Sequence, residues 1–87
     1  MDIEFDTAKD ETNGLKHGVS LALGAAVLTN MVGQIEDDRR DYGETRFNAF
    51  GVVAQRLFVC TYTLRGETYR LISVRKASKQ EQRIWLP

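Results

Sequence analysis

The chain has 87 residues, a formal net charge of zero, 43% hydrophobic and 28% charged residues, one cysteine and one histidine. These numbers predict one globular domain over residues 1–87 with a modest core. They exclude an internal disulfide and a zinc site of the usual ligand set, and the longest mostly apolar run, "VSLALGAAVL", falls far short of the roughly 18 residues that a membrane helix needs.

The charge is unevenly divided. Residues 1–44 hold 4 Lys/Arg against 10 Asp/Glu, and residues 45–87 hold 8 against 2. An acidic front half is joined to a basic back half, which can attract a polyanion locally while the whole remains neutral. The two halves can equally well complement each other within the fold. No basic segment followed by an apolar one opens the chain, so a cytoplasmic location is expected.

"IEFD" alternates apolar and charged residues and predicts a short edge strand. Asp6 then caps a helix over about residues 7–17, with Gly18 at its left-handed C-terminal position. Its buried stripe is weak: Ala8, Leu15 and Thr12 are the candidates, and Gly14 lowers its stability. Ser20 caps a second helix over about residues 21–29, where Leu21, Ala25 and Leu28 share one face and Leu23 and Val27 widen it. Its outer face is unusually apolar, which predicts an interface.

After Asn30 the period becomes two. "MVGQIE", "TRFNAFGVV", "RLFVCTYTL" and "TYRLISVRK" read as strands. The links "AQ" and "RGE" are short enough only for antiparallel hairpins. The charged connector "DDRRDYGE" lacks the spacing of a calcium loop and reads as a solvated hairpin tip. Cys60 lies within an apolar strand and reads as an inert core thiol. "SKQE" is a capping box in which Ser78 and Glu81 satisfy each other's amides, and it starts a last helix. Glu81, Ile84 and Trp85 fall on one face of that helix by their spacing. The predicted order is β-α-α-β-β-β-β-α, an α+β domain with helices against a mostly antiparallel sheet.

Strand alternation suggests where chemistry could sit. Ser73 and Arg75 share one face of their strand, and Arg70 takes the other. One arrangement places Arg46, Asn48, Thr61, Ser73 and Arg75 on a common sheet face, a polar and cationic concavity. Arginine suits phosphate because its planar fork donates two hydrogen bonds and stays charged. The same residues also have plainer roles. Arg75 and Lys76 can be a solvated strand end, and Arg46 can pair with Glu44 or Glu67. Lys16 and His17 suit the C-terminus of a helix by its dipole alone, and Trp85 can be a packing residue.

Taken together, "FD" with Lys9, Asn13 with "KHGVS", "DDR", "GETRF" and "LISVRKASKQE" resemble the BrnT toxins of bacterial type II toxin–antitoxin pairs. The resemblance runs over nearly the whole chain in the same order. It implies a RelE-like fold and a ribonuclease that works without metal or other cofactor, in which the 2′-hydroxyl of RNA attacks the adjacent phosphate. By matched position, Arg46 and Arg75 would meet the phosphate, and Lys16 and His17 would transfer protons. Lys9, Arg70, Ser73, Lys76 and Trp85 would help to bind the substrate. The implied partner is a cognate antitoxin, expected to be a ribbon-helix-helix DNA-binding protein, so DNA would be met only through it. Members of the family commonly carry tyrosine where this chain has Trp85, and an indole lacks a phenol's proton chemistry. With the neutral charge, that departure keeps open a second expectation: a non-catalytic member that holds an antitoxin and supports its repression of DNA.

Overall fold

The computed structural model describes residues 1–86. Its elements in chain order are β1 (Asp2–Glu4), α1 (Thr7–His17), a 3₁₀ turn (Leu21–Leu23), α2 (Gly24–Thr29), β2 (Met31–Glu36), β3 (Phe47–Val53), β4 (Arg56–Arg65), β5 (Thr68–Lys76) and α3 (Lys79–Trp85). The strands form one sheet in the order β1-β5-β4-β3-β2. β2 to β5 are antiparallel neighbours, and β1 joins β5 in parallel. The architecture is mixed α+β, as expected.

Local signals fix the element ends. The Asp6 carboxylate accepts from the amides of Ala8 and Lys9, and Gly18 takes the left-handed conformation at φ 74° that only glycine adopts freely. The predicted second helix begins instead as a 3₁₀ turn capped by Ser20, whose oxygen accepts from the Ala22 amide. Ser78 and Glu81 form the reciprocal capping box.

The sheet has two cores, one on each face. On the first, Leu21, Val27 and Leu28 pack against Ala49, Phe58, Cys60, Tyr62, Leu71 and Val74. The second is smaller: Phe50, Leu57, Val59 and Ala77, with Val52, Trp85 and Leu86 against them. Backbones approach closely on both faces. A Cβ on Gly51 would come within 2.1 Å of the Val27 carbonyl oxygen, and one on Gly33 within 2.2 Å of the Trp85 ring. Burial pushes the Cys60 thiol up to about 12, so it is inert at neutral pH.

Several expectations change. Leu15 is 91% exposed, and α1 buries Asn13 instead. The reason is the sheet edge. β1 pairs with β5 only from Thr68 to Arg70, so beyond that point β5 has β4 on one side and no strand on the other. Asn13 takes the place of the missing strand: its amide nitrogen donates to the Val74 carbonyl at 2.8 Å, and the Val74 amide donates to its oxygen at 3.0 Å. It also donates to the Val19 carbonyl. The second helix has no large exposed apolar residue, because Leu21, Val27 and Leu28 all turn inward, so it does not present the interface expected of it. In α3, Glu81 and Trp85 face the sheet, while Ile84 is 67% exposed and leaves the expected stripe.

Candidate functional site

α1 lies along the free edge of β5, anchored by Asn13. The groove between them is a cleft of about 210 Å³ lined by Lys9, Thr12, Asn13, Lys16, His17, Ile72 and Ser73. Successive helical turns bring Lys9, Thr12 and Lys16 to the same side, since residues three and four apart are neighbours on a helix. No carboxylate is among its lining residues. Lys16 and His17 occupy the last turn of α1, where cations interact favourably with the helix dipole. His17 titrates below the ordinary imidazole value of 6.5: partial burial disfavours its charged form, and the charges of Lys16 and then Arg75 add to the effect. Arg75 does not line the cleft, but it follows Ser73, which does, by two residues on the same face of β5.

Arg75 pairs with Val59 in the sheet and lies on the face that carries α3. Its guanidinium meets the Glu81 carboxylate through two hydrogen bonds, Nη1 to Oε1 at 2.7 Å and Nη2 to Oε2 at 2.9 Å. Nη1 also donates to the Lys76 carbonyl at 3.3 Å. Glu81 Oε1 accepts from the Ser78 amide as well, at 2.8 Å. These contacts, the Arg75 pair foremost, hold the Glu81 carboxyl at about 2. Sequence reading identified the capping box but not this second use of its carboxylate.

The register settles which residues share the face. Asn48, Thr61 and Ser73 are directly opposite one another across β3, β4 and β5, and Thr61 Oγ1 donates to Asn48 Oδ1 at 2.7 Å. The next row toward α3 is Phe50, Val59 and Arg75. The pairing shifts between Thr61 and Tyr62: Thr61 faces Ser73, but Tyr62 faces Leu71. Ile72 is thus an extra residue, a β-bulge. It reverses the alternation, so Arg70, opposite Thr63, shares a face with Ser73 instead of taking the other. The simple count of two fails at this residue. Arg70 also lies 3.9 Å from the Glu4 carboxylate.

Two expected members move away. Lys76 is opposite Phe58, a residue of the other core, so it projects from the face opposite to Arg75 and lines a separate groove with Gln55, Arg56 and Gln82. It does not join the substrate-binding group expected from its position beside Arg75. The Trp85 ring stacks on Phe50 with centroids 4.5 Å apart and lies over Gly33. That ring face is committed to the core, which is unlike a platform for a base.

Arg46 immediately precedes β3 and lies outside the cleft. It is four residues before Phe50, which stands two strands from Arg75, so strand geometry separates the two Cα atoms by roughly 16 Å. Each guanidinium has its own partners, Glu44 and the Tyr42 ring for Arg46 and Glu81 for Arg75. The connector before β3 explains how Arg46 is held. Asp37 is buried and accepts from Arg39 Nε and Nη2 and from the Tyr42 hydroxyl. The Arg39 bonds are the main cause that lowers its carboxyl to about 2. The Tyr42 ring then supports the Arg46 guanidinium at 4.0 Å, and Glu44 Oε2 accepts from Arg46 Nε at 2.9 Å. The connector is the solvated tip expected, with most of its residues exposed, and its Tyr42 and Glu44 also hold Arg46.

Residues 5–81 match the family described as the ribonuclease toxin BrnT of type II toxin–antitoxin systems. The chain belongs to the BrnT family. Comparison with curated proteins gave no match. No helix among the described residues is long and apolar enough to cross a membrane.

Proposed function

We propose that this BrnT chain is a metal-independent endoribonuclease with a RelE-like fold, and that a cognate antitoxin neutralises it. The observation that carries the reading is the convergence of Lys9, Lys16, His17 and Ser73 on one cleft, with Arg75 two residues from Ser73 on the same face of β5. In the reaction, His17 takes the proton of a ribose 2′-hydroxyl. The freed oxygen forms a bond to the adjacent phosphorus, the bond from phosphorus to the 5′-oxygen breaks, and the leaving oxygen gains a proton. The products are a 2′,3′-cyclic phosphate and a 5′-hydroxyl.

The lowered pKa supports His17 as the base, because its neutral form predominates at neutral pH. Lys16, next to it, is suited to deliver the proton to the leaving oxygen. Arg75 faces the phosphate, where negative charge accumulates and a fixed cation contributes most. Lys9 and Ser73 hold the reacting nucleotide from the two walls of the cleft. Arg46 and Arg70, out on the same polar sheet face, suit neighbouring phosphates of an RNA strand. The antitoxin, a ribbon-helix-helix protein in this reading, would give the pair its only contact with DNA.

The test is expression in bacteria without a partner, following growth and bulk RNA. Arrested growth and shortened RNA are expected, with both relieved by Arg75→Ala in soluble, folded protein. Normal growth with intact RNA, at confirmed soluble expression, refutes the reading in favour of a non-catalytic antitoxin-holding member.

A further inference from the structure

We propose that Glu81 is the positioning residue for Arg75, aiming one free edge of its guanidinium at the reacting phosphate. The inference rests on the ribonuclease reading of the cleft. A guanidinium has five N–H donors arranged along three edges. Glu81 takes the outer edge, one donor each from Nη1 and Nη2. The Lys76 carbonyl takes the second donor of Nη1. Among the described residues, the two donors left without a partner are Nε–H and the remaining Nη2–H, and they lie on the same edge. That edge is a two-pronged donor, the geometry that matches two oxygens of a phosphate. The carboxylate therefore does not block Arg75; it selects which edge remains available.

Glu81 is itself held firmly. Its carboxylate accepts from the Ser78 amide, and its own amide donates to Ser78 Oγ at 3.2 Å. One residue thus ties the start of α3 to the aim of the fork. The packing of Trp85 on Phe50, one turn further along the same helix face, fixes that helix to the sheet. Glu81 touches no reacting atom in this account; it acts through Arg75 alone.

The test is a double-mutant cycle in single-turnover cleavage of a short RNA. Glu81→Gln keeps size and polarity but loses the charge that clamps the fork, and is expected to slow the chemical step about tenfold or more. Binding of a non-cleavable 2′-deoxy oligonucleotide should change far less. In an Arg75→Ala background the same substitution should have no further effect on the rate. Ser78→Ala separates helix capping from positioning, because it removes the hydroxyl cap and leaves the Glu81 carboxylate beside Arg75. It should lower thermal stability while retaining the rate. If Glu81→Gln should fold poorly, Glu81→Asp, which keeps the charge on a shorter arm, should show a smaller rate loss in the same cycle. A full rate in folded Glu81→Gln, an equal loss with and without Arg75, or an equal loss in Ser78→Ala would each overturn the proposal while leaving the ribonuclease reading intact. A wild-type chain that cleaves nothing would remove both together.

Discussion

Replacing Asn13 by alanine should destabilise the chain severely and disable the cleft at the same time. Asn13 is 5% exposed and makes three hydrogen bonds, two to Val74 and one to Val19. The substitution leaves the Val74 amide and two carbonyls without their partner. At roughly 1 kcal/mol for each lost bond, and more for a group left buried and unpaired, the cost is about 3 kcal/mol. Water that enters the sheet edge would bring it nearer to about 2 kcal/mol. A chain of this size has on the order of 5–10 kcal/mol in total, so the fraction lost is large. The melting temperature should fall by about 10–20 °C. Urea denaturation of wild type and Asn13→Ala measures the difference directly. The cleavage rate, taken at a temperature where both are folded, should fall as well, because α1 carries Lys9, Lys16 and His17 and would no longer be registered on β5. A loss below about 1 kcal/mol would show that Asn13 is not the substitute for the missing strand. A full cleavage rate would show that this anchor does not set the cleft.

The remaining predictions follow from the same structure. If His17 works as a base, activity should fall on the acid side at a pH below the ordinary 6.5. Lys16→Met, which removes one neighbouring charge that lowers His17, should move that limb upward; a pH profile that ignores both His17→Ala and Lys16→Met contradicts the assignment. Glu81 and Asp37 both have carboxyls depressed to about 2 from ordinary values of 4.5 and 3.8. Depressed acids contribute stability above their ordinary values and lose it as pH falls toward the folded ones, so wild type should weaken between about pH 4.5 and 2, and Asp37→Asn or Glu81→Gln should flatten that slope in acid denaturation. Gly33→Ala should expel Trp85 from its seat, because the new Cβ would stand 2.2 Å from the ring; intrinsic tryptophan fluorescence should shift to the red and stability should drop by about 1–3 kcal/mol, whereas an unchanged spectrum would contradict the packing described for Trp85.

Where a local signal is chemically complete, sequence and structure agree closely. Asp6 and Gly18 bound α1, and "TYRLISVRK" spans β5 from end to end. The capping box at Ser78 needs only two residues three apart, so it is visible in the chain itself. The polar face with Arg46, Asn48, Thr61, Ser73 and Arg75 was reached by alternation, and the register joins Asn48, Thr61 and Ser73 in one row. Alternation fails at Ile72, because a bulge depends on the pairing of two strands and leaves no mark in one of them. That single residue decides the side on which Arg70 stands. The role of Asn13 is hidden in the sequence for a related reason: a polar residue inside a helix looks like surface until the unpaired edge beside it is known. The Arg75–Glu81 pair and the Tyr42 platform under Arg46 are similar, since each joins residues whose roles are plain only after the chain has turned. Ile84 leaves the stripe expected for Glu81, Ile84 and Trp85 because helical spacing gives the angle between side chains and not the direction in which the helix faces.

In the reaction proposed for the cleft at the α1–β5 edge, the attacking atom is the ribose 2′-oxygen. The most direct measurement uses purified chain, a chelator in the buffer, and a pair of oligonucleotides that differ only by a 2′-deoxy sugar at the cleaved position. Cleavage of the all-ribose strand to a 2′,3′-cyclic phosphate and a 5′-hydroxyl is expected, abolished by the single deoxy substitution and strongly reduced by His17→Ala. Cleavage of the deoxy linkage, or loss of all activity on chelation, would contradict the proposed reaction.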